Sequence, residues 1–256
     1  MNEQGQTDLY DRIRVPAAYE VVAQQIERQI VAGNLRPGDE IGTEADLVRQ
    51  FGVNRSTVRE GIRMLEQTGL VRREAGRRLC VSSPQYAQLS SRMSRAMILN
   101  EVTFQELFET AVILEAAAAE AAARRRGGDH LDDLRDNVAQ AEAAADDPAA
   151  LADLDSLFHR LVAKAAGNRV LELAREPGAL LYFPTTEAIC QVVPEAPGRL
   201  VQAHGVIVDA IAAGDAEQAG IWMRRHVTDW LKGFRRSGRD PTAPVERGLA
   251  VWSEAT

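Results

Sequence analysis

The chain has few cysteines, few histidines and few aromatic residues, and these shortages exclude several classes of protein. Its 256 residues include 2 Cys and 4 His, and aromatic residues make up 5%. Cys80 and Cys190 cannot form a disulfide framework, so we expect two buried thiols. No apolar run approaches the roughly 18 residues that a transmembrane helix needs. The first fifteen residues lack the apolar segment of a signal peptide. We therefore expect a cytoplasmic protein that does not contact membranes.

The negative charge of the chain is unevenly distributed. The formal net charge is −7, yet residues 1–83 contain 12 Arg and 12 acidic residues and so balance. All of the excess acid lies in residues 84–256. Residues 55–78 alone contain seven arginines against three glutamates. Such a local positive field suits DNA binding, while an acidic remainder favours solubility.

The first 83 residues have the order of elements of a DNA-reading head. Hydrophobic spacing, caps and turn residues predict three helices and two strands, at about residues 16–33, 43–51, 54–68, 70–73 and 79–81. Two short helices joined by a glycine-bearing turn and followed by a hairpin make a winged helix-turn-helix. We therefore predict this fold for residues 1–83.

The third predicted helix carries the candidate DNA contacts. Its apolar residues at i, i+4 and i+7 form one buried face. Arg55 and Arg59 are the candidates for base contacts, because the fork of an arginine can bond guanine O6 and N7 together. Ser56 and Thr57, at the helix start, are suited to phosphate contacts. A last pair of candidates lies at the wing tip, where a side chain can reach a minor groove: Arg77 and Arg78.

The rest of the chain predicts a mainly α protein. From Val102 onward an alanine-rich helical pattern, interrupted by Gly and Pro, indicates about six helices of 10–20 residues. We predict an antiparallel all-helical bundle for residues 96–236. A linker is expected at 84–95 and a loose tail at 237–256.

Three of the four histidines are placed to meet inside this bundle. Asp155 and His159 are four residues apart on one helix face, and His204 and His226 follow on later helices. Imidazoles and a carboxylate suit a divalent transition metal such as zinc. Spacing alone leaves a second interpretation open, in which each histidine is separately hydrogen-bonded. His130, near a predicted helix start, is expected to be a surface or capping residue.

The head resembles the winged DNA-binding domain of the GntR family. The similarity covers about 65 residues and is carried by Phe51-Gly52-Val53-Asn54-Arg55-Ser56-Thr57-Val58-Arg59-Glu60, then Leu65, Gly69 and Leu70. The resemblance implies DNA contacts from Arg55, Ser56, Thr57 and Arg59, and a wing contact near Gly76. It also implies a homodimer on a palindromic operator, which would match two recognition helices to two half-sites.

Residues 103–235 resemble the FCD ligand-binding domain of FadR-like GntR regulators. Matching pieces include residues 109–115, 155–159, 167–168, 204–211 and 213–226. In metal-binding members an Asp-x-x-x-His pair and two later histidines bind the ion, which implies Asp155, His159, His204 and His226 here. A small carboxylate often completes the coordination in these members. Fatty-acyl-binding members generally lack the histidines, so that effector class is disfavoured.

Four positions depart from the family pattern. Ala45 stands where many members carry an operator-contacting Arg, and Gly61 replaces a helix-forming Ala at a cost of about 1 kcal/mol. Ala111 stands where the family usually has Arg, and Ala203 replaces a common Glu. Two interpretations follow from the missing arginine. Either the effector differs from the common sugar acids and hydroxy acids, or a different arginine holds it.

These features predict a ligand-responsive transcription regulator and not an enzyme, and the family resemblance implies a repressor. A metal-dependent hydrolase with an accessory DNA-binding head is the alternative, since three His and an Asp can activate water. It is disfavoured because the sequence has no general base clearly paired with the site and no nucleophile elbow. An architectural DNA-binding protein without a ligand is a third possibility.

Overall fold

The computed structural model describes residues 16–74, 78–82 and 86–245. The chain divides into two units, Met1–Gln85 and Tyr86–Thr256. Most of the described residues are helical, and the one described sheet lies in the first unit. The predicted fold class is therefore confirmed.

The first unit is a winged helix-turn-helix. Its elements in chain order are α1 Ala18–Val31, β1 Glu40–Gly42, α2 Glu44–Phe51, α3 Arg55–Thr68, β2 Val71–Arg73 and β3 Leu79–Val81. The strands form an antiparallel sheet in the order β1-β3-β2. Val71 pairs with Val81 and Arg73 with Leu79, which sets the register of the wing hairpin.

Local signals explain where the helices of the head begin and end. Thr43 caps α2 by accepting a hydrogen bond from the Asp46 N–H, while the Asp46 carboxylate accepts from the Thr43 N–H at 2.9 Å. Gly52 ends α2 in the left-handed conformation, with φ of 65°. Asn54 then caps α3. Because the turn between α2 and α3 is this short, α3 is held at a fixed angle beside α2.

Gly61 lies where α1 crosses α3, and this position explains the departure from alanine. A Cβ added at Gly61 would lie 2.9 Å from the carbonyl oxygen of Tyr19 and 3.1 Å from Val22 Cγ1. Val22 and Ile62 are buried in the same core. The close approach of the α1 backbone therefore favours glycine at this position, and this packing offsets the low helix propensity of glycine.

The second unit is all-helical, with a short 3-10 turn at Gly128–His130. Its helices are α4 Tyr86–Leu99, α5 Phe104–Arg124, α6 Leu131–Ala143, α7 Pro148–Ala165, α8 Arg169–Tyr182, α9 Pro184–Val192, α10 Ala196–Ala213 and α11 Ala216–Arg236. α5 packs along α11, because fully buried alanines such as Ala118, Ala119 and Ala122 allow close approach. α7, α10 and α11 contribute Phe158, Ile207 and Met223 to the same core.

Two segments differ from the sequence prediction. Helix α4 occupies most of the stretch expected to be a linker at 84–95. Ser90 and Ser94 face inward. The Ser94 hydroxyl lies within hydrogen-bond distance of two carbonyl oxygens and is 2.7 Å from the carbonyl of Pro177 on α8. A polar residue that satisfies its hydrogen bond in this way can occupy a core position, so the apolar pattern of α4 is weak.

The expected loose tail is ordered at its beginning. After α11 the chain returns to the start of α5, where the Gln105 N–H donates to the carbonyl of Pro241 at 2.8 Å. The Val245 N–H donates to the carbonyl of Val102 at 2.9 Å, and Val245 is buried. Residues 246–256 of the predicted tail lie outside the described residues.

Candidate functional site

Helix α3 has one buried face and one exposed face. Val58 and Ile62 are fully buried and Leu65 nearly so. In contrast, 59% of the Arg55 side chain and 60% of the Arg59 side chain are exposed. An exposed helix with arginines on its outer side can enter a major groove without disturbing the core. Both candidate base-reading arginines lie on that side.

The start of α3 presents polar groups suited to a phosphate. The Ser56 hydroxyl donates to Asn54 Oδ1 at 2.7 Å, and the Thr57 N–H donates to the same atom at 2.8 Å. Ser56 is exposed and Thr57 is half-buried. The first turn of a helix also carries N–H groups that attract anions. Both predicted residues therefore lie at a suitable end of the helix.

A single buried carboxylate holds three arginines of the head, a feature that the sequence did not predict. Glu44, the first residue of α2, is 9% exposed. Its Oε2 lies 2.9 Å from Arg59 Nε and 3.5 Å from Arg55 Nε, and its Oε1 lies 3.0 Å from Arg73 Nη1. Arg73 Nε also lies 2.7 Å from Glu66 Oε1. Glu44 thus connects the recognition helix to the wing.

The charge of Glu44 is stabilised by this arrangement. Burial disfavours ionisation, but the bonds from Arg59 and Arg73 outweigh burial and hold the pKa of the Glu44 carboxyl below its usual value. An ionised acceptor makes the stronger type of hydrogen bond with arginine. The arginine side chains are therefore held in place in the free protein, which would lower the entropy cost of any contact that they make.

Only part of the predicted wing contact can be described. Gly76 and Arg77 lie outside the described residues. Arg78 is exposed, and its Nη1 lies 3.3 Å from Glu40 Oε2 on β1. The Glu74 N–H donates to the carbonyl of Arg78 at 2.9 Å, which closes the hairpin. Ala45 is exposed on α2.

In the second unit, α7, α10 and α11 bring the four predicted metal ligands together. One donor atom from each of Asp155, His159, His204 and His226 lies within 4.8 Å of all the others. Asp155 Oδ1 lies 3.7 Å, 3.2 Å and 3.6 Å from the Nε2 atoms of His159, His204 and His226, in that order. The four residues are nearly or fully buried.

The spacing of these donors fits a transition-metal ion. His226 Nε2 lies 3.1 Å from His159 Nε2 and 3.3 Å from His204 Nε2. Ligands about 2.0–2.1 Å from a tetrahedral ion are roughly 3.3 Å apart. Within the described part of the chain, Asp155 Oδ1 has no well-directed hydrogen bond although it is buried. A cation would satisfy this oxygen and the three imidazole lone pairs together.

Behind His159 lies a buried polar cluster that the sequence prediction missed. The His159 Nδ1–H donates to Glu115 Oε2 at 2.9 Å, since an ionised carboxylate can only accept. Glu115 Oε1 accepts from Arg175 Nε at 2.8 Å and from the Tyr182 hydroxyl at 2.7 Å. With Nδ1 protonated, a neutral His159 directs its Nε2 lone pair toward the ligand atoms of the other three metal-site residues.

The protonation states of the buried residues favour cation binding. Burial disfavours the charge of Glu115, yet Arg175 and His159 lower the pKa of its carboxyl to about 2. Burial likewise opposes the charge of Asp155, but the imidazoles of His204 and His226 hold the pKa of that carboxyl well below its usual value. Burial lowers the pKa of His204 to about 3, against the effect of Asp155. Asp155 is therefore ionised and His204 neutral near pH 7, the states that bind metals.

A cavity of about 550 Å³ lies beside these ligands. Asp155, His159 and His226 form part of its wall, and α9, α10 and α11 supply most of the rest. Ala111 and Ala203, two of the four departures from the family pattern, also line it. The cavity is large enough to hold an organic ligand next to an ion.

The remaining histidine and the cysteines have other surroundings. His130 lies at the 3-10 turn, where its Nδ1 is 3.4 Å from Asp133 Oδ2. Cys80 and Cys190 are buried and free. Cys190 lines the cavity, and burial raises the pKa of its thiol to about 11, so the thiol stays protonated. None of the described helices has both the length and the hydrophobicity to span a membrane.

A winged helix with exposed arginines, joined in one chain to an all-helical unit with a cavity, defines a DNA-binding transcription regulator. Residues 18–81 match the family model "Bacterial regulatory proteins, gntR family", and residues 106–229 match the FCD domain. The chain belongs to the GntR family of transcriptional regulators, with the FCD domain of its FadR-like members. The families and the relatives that it matches are transcriptional regulators rather than enzymes.

Known relatives agree with this classification. The chain is 28% identical over 209 residues to the HTH-type transcriptional regulator LutR of Bacillus subtilis (strain 168), covering 79% of this chain and 95% of LutR. It is 25% identical over 215 residues to the HTH-type transcriptional repressor NanR of Escherichia coli (strain K12), covering 81% of each. A solved structure of Streptococcus agalactiae GntR matches with a TM-score of 0.59 and 25% identity, covering 86% of this chain and 99% of that one.

Proposed function

We propose that this regulator is a metal- and carboxylate-responsive repressor that binds a palindromic operator as a homodimer in the cytoplasm. The observation that carries the proposal is the convergence of Asp155, His159, His204 and His226 beside a cavity, in a chain with a DNA-reading helix. These four residues would hold a divalent transition ion such as zinc. When bound, the ion supplies positive charge that attracts an effector carboxylate.

The residues of the chain have separate roles in this proposal. Asp155 and the three histidines present oxygen and nitrogen ligands, and Glu115 orients His159. Arg55, Ser56, Thr57 and Arg59 contact the operator, with Arg77, Arg78 and the backbone near Gly76 as wing contacts. The effector shifts operator affinity only if it binds the two states of the protein unequally.

Homodimer formation follows from the need to read two half-sites. Exposed apolar side chains of the second unit are available to such an interface, namely Leu89, Met93, Leu99, Ile113, Val170, Leu180 and Val192. Two-fold symmetry of the protein would then match a palindromic operator. Light scattering of the purified protein should give a mass near twice 28.0 kDa. A mass near 28.0 kDa, both for the free protein and for the protein bound to operator DNA, would contradict this part of the proposal.

The metal is tested on the purified full chain. Elemental analysis should find about one transition-metal ion per chain, and Asp155→Asn should lower that content several-fold. Chelation should lower the melting temperature of the protein, since bound metal stabilises only the folded state. Asp153→Asn, in the same helix but outside the ligand set, is the matched control. Equal metal content in the two variants would refute the site.

Replacement of Arg59, the arginine nearest to Glu44, tests the proposed operator contacts. We expect Arg59→Ala to abolish specific binding in a mobility-shift titration and to leave the fold intact, because 60% of the side chain is exposed. Arg63→Ala, one turn further along α3 and also exposed, is the control for the loss of one positive charge. Unchanged operator affinity of Arg59→Ala would reject the assignment.

A further inference from the structure

The chemistry of the cavity wall narrows the class of effector. The cavity extends along α10 from Ala196 to Ala203 and along α11 from Trp222 to Gly233. At 1.5 Å per residue, the first of these segments is about 10 Å long. This length exceeds a two- or three-carbon acid and is close to that of a six-membered ring with a carboxylate. The cavity therefore has room for an effector with a ring-sized body.

Most of the wall around that space is apolar. Large apolar side chains from α8 to α11 line it: Phe183, Ile189, Leu200, Trp222, Val227 and Trp230. Trp222 and Trp230 lie one turn before and one turn after His226 on α11, so the three project from one helix face. An effector anchored beside His226 would therefore lie against indole rings.

Three hydroxyl or indole groups of the wall have already used their donors, whereas the Trp222 indole, at the half-buried part of the wall, donates to no described residue. A hydroxyl or an indole has one hydrogen to donate. Thr186 donates to Asp155 Oδ2 at 3.0 Å, and the Trp230 indole donates to Thr185 Oγ1 at 2.8 Å. Tyr182 donates to Glu115, at 2.7 Å. These groups are not free to donate to the hydroxyl oxygens of a sugar acid.

The charged groups of the wall are either paired or exposed. Arg199 Nε lies 2.9 Å from Asp229 Oδ2, and Arg224 Nη2 lies 3.1 Å from Glu120 Oε1. Lys232 is exposed, and so it borders the opening of the cavity. The inner part of the cavity therefore has its polar anchor at the ligand cluster and apolar contacts beyond it.

We propose that the effector is a monocarboxylate with an apolar, ring-sized body, rather than a polyhydroxylated acid. The inference rests on the proposed function, because the carboxylate is anchored at the metal ligands. Ala111 and Ala203 contribute to the same preference for an apolar effector. Each stands where the family pattern has a charged residue, and each leaves apolar surface in the cavity wall. A hydroxylated body would lose its water contacts in this cavity without regaining enough hydrogen bonds.

The test compares two acids that differ only in hydroxyl groups. Cyclohex-1-enecarboxylate and shikimate share one carbon skeleton, and shikimate carries three additional hydroxyls. Their affinities for the zinc-loaded full chain are measured by calorimetry, with acetate as the minimal carboxylate. We expect cyclohex-1-enecarboxylate to bind at least about 10-fold more tightly than shikimate. Equal affinities, or tighter binding of shikimate, would overturn the inference.

A cavity-filling variant gives an independent readout. Ala203→Leu should weaken cyclohex-1-enecarboxylate about 10-fold and leave zinc content and acetate binding unchanged. Ala213→Leu, at the exposed end of α10, is the matched control. Equal affinity of both variants for the ring acid would also contradict the proposal. If Ala203→Leu does not fold, the comparison of acids on the natural chain decides alone.

The outcomes separate the two proposals. If the chain binds no zinc and no carboxylate, the proposed function fails and the inference fails with it. If the ring acid is preferred equally with and without zinc, the apolar selection stands and the metal anchor is wrong. If shikimate is preferred and its binding requires zinc, the proposed function stands and the inference is wrong.

Discussion

Glu44 shows how one side chain can control a surface that it does not form. It is nearly buried, yet it contacts two exposed arginines of α3 and one of the wing. Its negative charge also lies near the expected DNA phosphates, which by itself disfavours binding. We therefore expect Glu44 to have a small net effect on binding to unrelated DNA and a large effect on recognition of the operator.

Glu44→Gln should consequently lower specificity rather than general affinity. We expect operator affinity to fall about 10-fold, because the charged hydrogen bonds that orient Arg59 are lost. Affinity for unrelated DNA should stay equal or rise, since one negative charge has gone. Mobility-shift titrations with both DNAs measure the ratio. Glu60→Gln, an exposed position on α3 with the same charge change, is the control; a similar loss there would contradict the role of Glu44.

Glu115 has the corresponding role behind the metal ligands. Loss of the carboxylate charge removes the strong acceptor of the His159 N–H, so the imidazole is less well oriented and less basic. We expect Glu115→Gln to lower zinc affinity about 10- to 100-fold in competition with a coloured chelator. Glu120→Gln, on the same helix and bonded to Arg224 instead, should leave zinc affinity unchanged. Equal zinc affinity in both folded variants would show that Glu115 has no part in binding.

At the scale of elements, the first three helices were predictable because their signals are local. Thr43 and Asn54 cap helices, and Gly52 and Gly69 end them, as the sequence indicates. Helix α4 was missed because Ser90 and Ser94 occupy buried positions and count as polar in any hydrophobic pattern. The order of the segment that ends at Val245 depends on backbone bonds to the start of α5, which no local signal reveals.

The metal ligands were predictable from the sequence, but the charged residues that support the two sites were not. Asp155 and the three histidines were found because histidine is rare in this chain and a family pattern relates their positions. Glu115 and Arg175 contact each other across 60 residues of sequence, and Glu44 and Arg73 across 29. Charged residues are common, so neither pair stands out until the fold brings its members together.

The crossing of α1 and α3 gives a prediction at this scale. Gly61→Ala should destabilise the head by about 1 kcal/mol, because the added methyl group would meet the Tyr19 carbonyl oxygen at 2.9 Å and force α1 outward. Helix propensity alone predicts a gain of similar size. Gly205→Ala, within α10 and with nothing within 4 Å of an added Cβ, should show that gain. Denaturant unfolding measures both; a more stable Gly61→Ala would contradict the packing argument.

At the scale of the whole molecule, a net charge of −7 coexists with DNA binding because all of the excess acid lies in residues 84–256, while arginines outnumber glutamates in residues 55–78. Charges within about a Debye length of the bound DNA contribute most to its attraction, and the arginines proposed to contact it are the nearest. Arg78→Ala should therefore reduce the slope of operator affinity against salt concentration by about 0.9 per subunit. Arg124→Ala, an exposed arginine of the second unit, should leave the slope unchanged. Equal effects would mean that the second unit also contacts DNA.

The shared carboxylate of the head also has an evolutionary consequence. Because Arg55, Arg59 and Arg73 rest on one acceptor, replacing any of them frees Glu44 to rearrange around the other two. Their substitutions are then epistatic, and the effect of a double replacement is not the sum of two single ones. A lineage that carries this triad would change its preferred operator in abrupt jumps, several bases at once, instead of drifting one base pair at a time.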